Sequence, residues 1–181
     1  MGAWVDSKLS PRVSLTFIVG SAADVFPQDL ARAVDDELRT RFPSIEPDAD
    51  EKYESDPVDA SGWLKLQQRV LRTLDLAPQL TTVDAYQAVY IPAPVVSVEH
   101  IPIANAADPL QVGSLSQLIE ELRRFAKAAQ LPTDDVELMQ LNAHYLEHDD
   151  PNADLDVQTY IQLMLSAKQA AARKQALWIV T

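Results

Sequence analysis

The apolar residues of this chain change their period from one stretch to the next, and that change restricts the fold more than any other feature. Side chains alternate every two residues on a strand and return to one face every three or four on a helix. "RVSLTFIVG", residues 12–20, gathers β-branched and aromatic side chains and ends at Gly20, which predicts a buried strand. "PQDLARAVDDELRTRF" follows with Leu30, Val34 and Leu38 on one helical face and Ala31 beside them. Pro27 suits its first turn and Pro43 stops it.

"SGWLKLQQRVLRTLDLAP", residues 61–78, predicts a second helix capped by Ser61 and ended by Pro78. Its stripe runs through Trp63, Leu66, Val70, Leu74 and Ala77. The period then shifts to two: Val83, Ala85, Gln87, Val89 and Ile91 alternate with Asp84, Tyr86, Ala88 and Tyr90, so this stretch predicts a strand. Pro92 and Pro94 break it, and a second strand is expected from Val95 to Ile103, with the prolines favouring a sheet edge.

"GSLSQLIEELRRFAKAAQLP" gives the clearest helix. Leu115, Leu118, Leu122, Phe125 and Ala129 form its buried face, and Ser114 with Gln117 has the spacing of a capping box. "VQTYIQLMLSAKQAAARKQA" predicts the last helix, and "LWIVT" a final strand that would pair with "LTFIV". "DDVELMQLNAHYLEHDD" supports two readings. As a helix it is capped by Asp134; as a strand, Met139, Leu141, Ala143 and Tyr145 alternate. The helix is preferred.

Together these elements predict an α+β fold in one domain spanning residues 1–181, with a small mixed or antiparallel sheet and about four to five packed helices. With 47% hydrophobic residues, the chain can build a substantial core. No apolar run approaches the roughly 18 residues of a membrane span, and no leader-like segment opens the chain, so a cytoplasmic location is expected.

Composition removes several chemistries. The absence of cysteine excludes thiol nucleophiles, disulfides and thiolate metal sites. Four glycines leave no phosphate-binding glycine loop. The net charge of -12 is unevenly spread. Residues 45–60 hold seven acids and one lysine, with no helical or strand period, and predict an exposed acidic loop at 44–60. Residues 134–156 hold eight acids and neither lysine nor arginine. This disfavours direct binding to nucleic-acid phosphate, which requires cationic side chains.

The one motif with a defined chemistry is "HYLEHDD". His144, Glu147 and His148 have the H-x-x-E-H spacing, which on a helix places two histidines one turn apart to share a zinc ion, with Glu147 as the base for bound water. Catalytic zinc needs a third protein ligand, and no glutamate follows Glu147. Ordinary hydrogen bonding near a helix end explains the same histidines.

The leading expectation is therefore a non-catalytic acidic interaction module of the inhibitor, immunity-type, adaptor or assembly-factor kind. It would need no cofactor and would contact a protein partner with a basic surface, homo-oligomerisation also being open. Its candidate binding residues are Glu46, Asp48, Asp50, Glu51, Glu54, Glu147, Asp149, Asp150 and Asp154. The alternative is a small zinc-dependent hydrolase using His144, His148 and Glu147. Trp63 and Trp178 are expected in the core, and Trp4 at the surface.

Overall fold

A computed structural model describes residues 13–44, 51–86, 88–147 and 154–181. Among these, seven strands form one mixed sheet: β1 (Ser14–Gly20), β2 (Tyr53–Glu54), β3 (Val58–Asp59), β4 (Ala88–Ile91), β5 (Glu99–Ile101), β6 (Leu110–Ser114) and β7 (Ala176–Val180). The helices are α1 (Gln28–Arg41), α2 (Ala60–Thr73), α3 (Pro78–Thr81), α4 (Leu115–Ala129), α5 (Asp135–Glu147) and α6 (Leu155–Arg173). The mixed α/β character expected from the sequence is present. The sheet is larger than expected, and the helices number six rather than four or five.

The strand order is β2-β1-β7-β4-β6-β5, with β3 also on β1. Strand β7 lies at the centre, antiparallel to both β1 and β4. The pairing of "LWIVT" with "LTFIV" is as predicted, with Phe17 opposite Ile179. Strands β4 and β6 run parallel, and β5 closes the far edge antiparallel to β6.

Strand alternation gives the sheet two apolar faces. Leu15, Phe17, Val19, Tyr90, Leu177 and Ile179 meet α2, α4 and α6. Ile18, Val89, Ile91, Val112 and Trp178 point to the other side, where Ala31, Val34 and Leu38 of α1 cover them. Both tryptophans expected in the core are there: the Trp63 indole donates to Val83 O at 3.0 Å and that of Trp178 to Gly20 O at 2.9 Å. Trp4 lies outside the described residues.

Several local details differ from expectation. Residues 51–60, placed by composition in an exposed loop, carry β2 and β3 along β1, with Ser55 and Val58 buried. Backbone pairing, which needs no apolar side chain, holds them. Asp59 rather than Ser61 caps α2: its Oδ1 accepts from Ser61 N at 2.9 Å. Pro78 begins the short α3 instead of merely ending α2. Strand β6 was not anticipated, because its polar Gln111 and Ser114 are buried and break any apolar run.

Ser114 and Gln117 do not form the expected capping box; they serve a buried polar network instead. Gln79 accepts from Ser114 N through Oε1 at 2.9 Å, and its Nε2 donates to Gln117 Oε1 at 3.0 Å. The two carboxylate oxygens of Glu121 accept from Gln79 N at 3.0 Å and Leu80 N at 2.9 Å. The Tyr90 hydroxyl donates to Gln79 O at 2.5 Å. The network ties α3 to α4, β4 and β6, satisfying polar groups that would otherwise be costly inside a core.

Two substitutions test this packing. Gly62 sits where α2 crosses α6, and a Cβ there would lie 2.6 Å from Leu155 O. Gly62→Ala should therefore lower stability by about 1–3 kcal/mol in denaturant unfolding, through overpacking. Burial raises the Glu121 carboxyl above its ordinary value of 4.5, against the opposing pull of its two backbone hydrogen bonds. The folded chain then holds this proton more tightly than the unfolded chain, so the contribution of Glu121 to stability falls as pH rises from about 4.5 through the raised value. Glu121→Ala strands two buried N–H groups and should cost roughly 2–4 kcal/mol. The gap between wild type and variant should narrow across that pH interval in urea titrations.

Candidate interaction face

Helix α5 settles the ambiguous stretch as helical from Asp135 to Glu147. Asp134 caps it as expected, its Oδ1 accepting from Val136 N at 2.9 Å. The helix packs on α6 through Leu138, which is fully buried, with Leu141 and Tyr145 partly buried beside it. Lys168 of α6 anchors the first turn by bonding Asp135 and Thr133 O. At the other end, the Tyr145 hydroxyl donates to Asp154 Oδ2 at 3.3 Å. Burial, with the Asp154 carboxylate adding to it, raises the Tyr145 phenol above its ordinary value and keeps that donor protonated.

The outer side of α5 is also apolar. Val136 and Met139 are each 61% exposed and Leu146 is 67% exposed, with Ala143 exposed between them. On α5 these three fall on one line. Of the other large exposed apolar residues among those described, Leu64 and Leu71 share a face of α2, and Val13, Leu76, Tyr86 and Val96 lie elsewhere.

The first acidic block, remote in sequence, reaches this helix through Asp56. Asn142 of α5 donates to Asp56 Oδ2 at 3.3 Å, and Gln162 of α6 donates to Asn142 Oδ1 at 2.8 Å and to Asp56 Oδ2 at 3.4 Å. Further along the first block, Glu54 pairs with Lys52 at 2.8 Å, and Glu51 O accepts from Arg173 at 2.8 Å. Both acids are exposed. Of the predicted binding residues, Glu51, Glu54 and Asp154 are described in full. Glu147 ends α5 with its side chain outside the description, and Glu46, Asp48, Asp50, Asp149 and Asp150 lie outside the described residues.

His144 lies on the exposed side of the last turn of α5, its ring edge-on to that of Tyr145 with centroids 5.8 Å apart. His148 is outside the described residues. Among the described residues, no group of three His, Asp or Glu is arranged to hold a metal ion. The described part of α5 carries His144 and the backbone of Glu147, while the second histidine of the H-x-x-E-H spacing lies outside it.

An open cavity of about 1020 Å³ lies at the C-terminal end of β7, where α2, β6 and the residue 84–86 loop converge. Trp63 and Trp178 contribute apolar walls, and Asp59, Asp84, Asp108 and His100 the ionisable groups; no lysine or arginine lines it among the described residues. This concavity was missed because its acids are scattered singly along the sequence. Its charge suits a cationic or neutral group rather than an anion.

The two sides of α5 should respond differently to truncation. Leu138→Ala should cost about 2–5 kcal/mol by emptying a packed site. Met139→Ser and Leu146→Ser should each change stability by less than about 0.5 kcal/mol in the same unfolding assay. No family model matches the chain, and no curated protein or solved structure matches it either.

Proposed function

We propose that this chain is a non-catalytic interaction module that binds a basic protein partner through an acidic face drawing on both acidic blocks. The observation that supports the reading is the contact of Asp56 with Asn142, which sets one acid of the first block against α5, the helix of the second. Glu51, Glu54, Glu137 and Asp154 are the described acids assigned to the contact. Charges of one sign gathered on a face raise encounter rates with an oppositely charged partner and exclude partners of the same sign. The apolar outer side of α5 supplies the surface whose desolvation gives such a complex its affinity. An inhibitor, an immunity-type protein, an adaptor and an assembly factor all share this physical description.

The test is affinity capture from lysate of the protein's own source at two salt concentrations, comparing wild type with a Glu51→Gln, Glu54→Gln, Glu137→Gln variant. Each exposed charge is worth about 0.2–1 kcal/mol, so the triple change should weaken the complex roughly tenfold. The expected result is one stoichiometric partner with a basic sequence, depleted both by high salt and by the variant. A partner set unchanged by either treatment would contradict the reading.

A further inference from the structure

We infer that the open cavity at the end of β7 is a binding site for a small organic cation, an ammonium group carried on an apolar body. The inference makes no use of the α5 face and stands apart from the interaction reading. Of the large exposed apolar residues among those described, Val13, Leu64 and Tyr86 all line this concavity, and they are 51%, 60% and 60% exposed. They come from three places in the chain: the residue before β1, the outer side of α2 and the loop that leads into β4. Val25 and Phe26, both partly buried, line it as well. Such walls give the apolar body of a ligand a surface against which to leave water. The volume of about 1020 Å³ is ample for a small molecule.

Side chains of the cavity wall hold one part of it in a fixed shape. Gln111, almost fully buried, accepts from Asp84 N at 3.0 Å through Oε1 and donates from Nε2 to Tyr86 O at 3.1 Å. Val83 O accepts from Trp63 Nε1 at 3.0 Å and from Gln67 Nε2 at 2.7 Å. Hydrogen bonds from β6 and α2 thus fix the loop that presents the Asp84 carboxylate and the Tyr86 ring. A loop held in this way loses little conformational freedom when a ligand arrives.

The charge at the site selects the ligand. Asp59, Asp84, Asp108 and His100 are its ionisable side chains, and neither lysine nor arginine lines it among the described residues. Asp59 is engaged at the start of α2, where its Oδ1 accepts from Ser61 N and Ser61 Oγ. Asp84 and Asp108 are exposed, and among the described residues neither is in an ion pair. Carboxylates and an exposed tyrosine ring attract an ammonium group, the first by charge and the second by the negative face of its ring. The same carboxylates repel an anion.

The probes are phenethylammonium, phenylethanol and phenylpropanoate, which share a phenethyl group and differ in charge. Tetramethylammonium supplies the charge without the apolar body. Each is titrated into the isotope-labelled full chain at physiological ionic strength and followed through amide chemical shifts. Phenethylammonium should give saturable shifts at Leu64, Asp84 and Tyr86 and leave α5 unmoved. The neutral and anionic analogues should bind about tenfold more weakly or worse. Asp84→Asn combined with Asp108→Asn should weaken phenethylammonium about tenfold, and Tyr86→Ser about threefold, with the melting temperature unchanged. Shifts spread over the acidic surface, with tetramethylammonium matching phenethylammonium, would be counterion attraction to a chain of net charge -12 and would overturn the site. Equal binding of the three phenethyl compounds, binding unchanged in the variants, or no saturation at tens of millimolar would each overturn it as well.

Discussion

The middle of helix α6 is buried on every side, and the arrangement of the other elements follows from where it lies. Six consecutive residues, Thr159 to Met164, are buried, which a helix achieves only with neighbours all round. Tyr160 and Leu163 join the core shared with β1, β4 and β7, Gly62 brings α2 close against its first turns, and Gln162 reaches toward α5. Two polar groups entering this packing find carbonyl partners: the Tyr160 hydroxyl donates to Pro132 O at 2.6 Å, and Thr159 Oγ1 to Leu155 O at 2.8 Å. Arg69 pairs with Asp156 at 2.7 Å and lies over the Phe125 ring, so the start of α6 is also held to α2 and α4.

The outermost layer follows from this. Because the sheet and α2 already cover much of α6, the remaining side is closed by a short helix that needs only one buried stripe of its own. Helix α5 meets that need with Leu138, Leu141 and Tyr145, and its other face is left to solvent. The apolar residues on that exposed face do nothing for the closure of α6. Together with the Asp56 carboxylate alongside, they give the surface a chemical character that the core does not require.

The sequence made the long, strongly periodic elements legible: α1, α4 and α6 by their faces, and β1 with β7 by their β-branched content. It concealed elements whose stability comes from elsewhere. Strands β2 and β3 depend on backbone pairing to β1, and β6 hides buried glutamine and serine that answer to Gln79 across the core. The ambiguity of residues 134–147 now has a physical cause. Two apolar stripes, one inward through Leu138, Leu141 and Tyr145 and one outward through Val136, Met139, Ala143 and Leu146, interleave along one helix. Their overlap places apolar residues at 139, 141, 143 and 145, imitating the period of a strand. The surplus of apolar residues over one buried face was the available signal for the outer stripe. The contact between acidic blocks had none, since it joins residues 86 apart in sequence.

The central claim is that the acids near residue 56 and the outer side of α5 belong to one face, and the absence of cysteine makes it directly measurable. A single nitroxide label attached at Asp56→Cys should selectively broaden the amide signals of α5 around Asn142 in paramagnetic relaxation spectra, leaving those of α1 sharp. Unaffected α5 signals, with the fold otherwise intact, would show that the two blocks do not meet and would contradict the account.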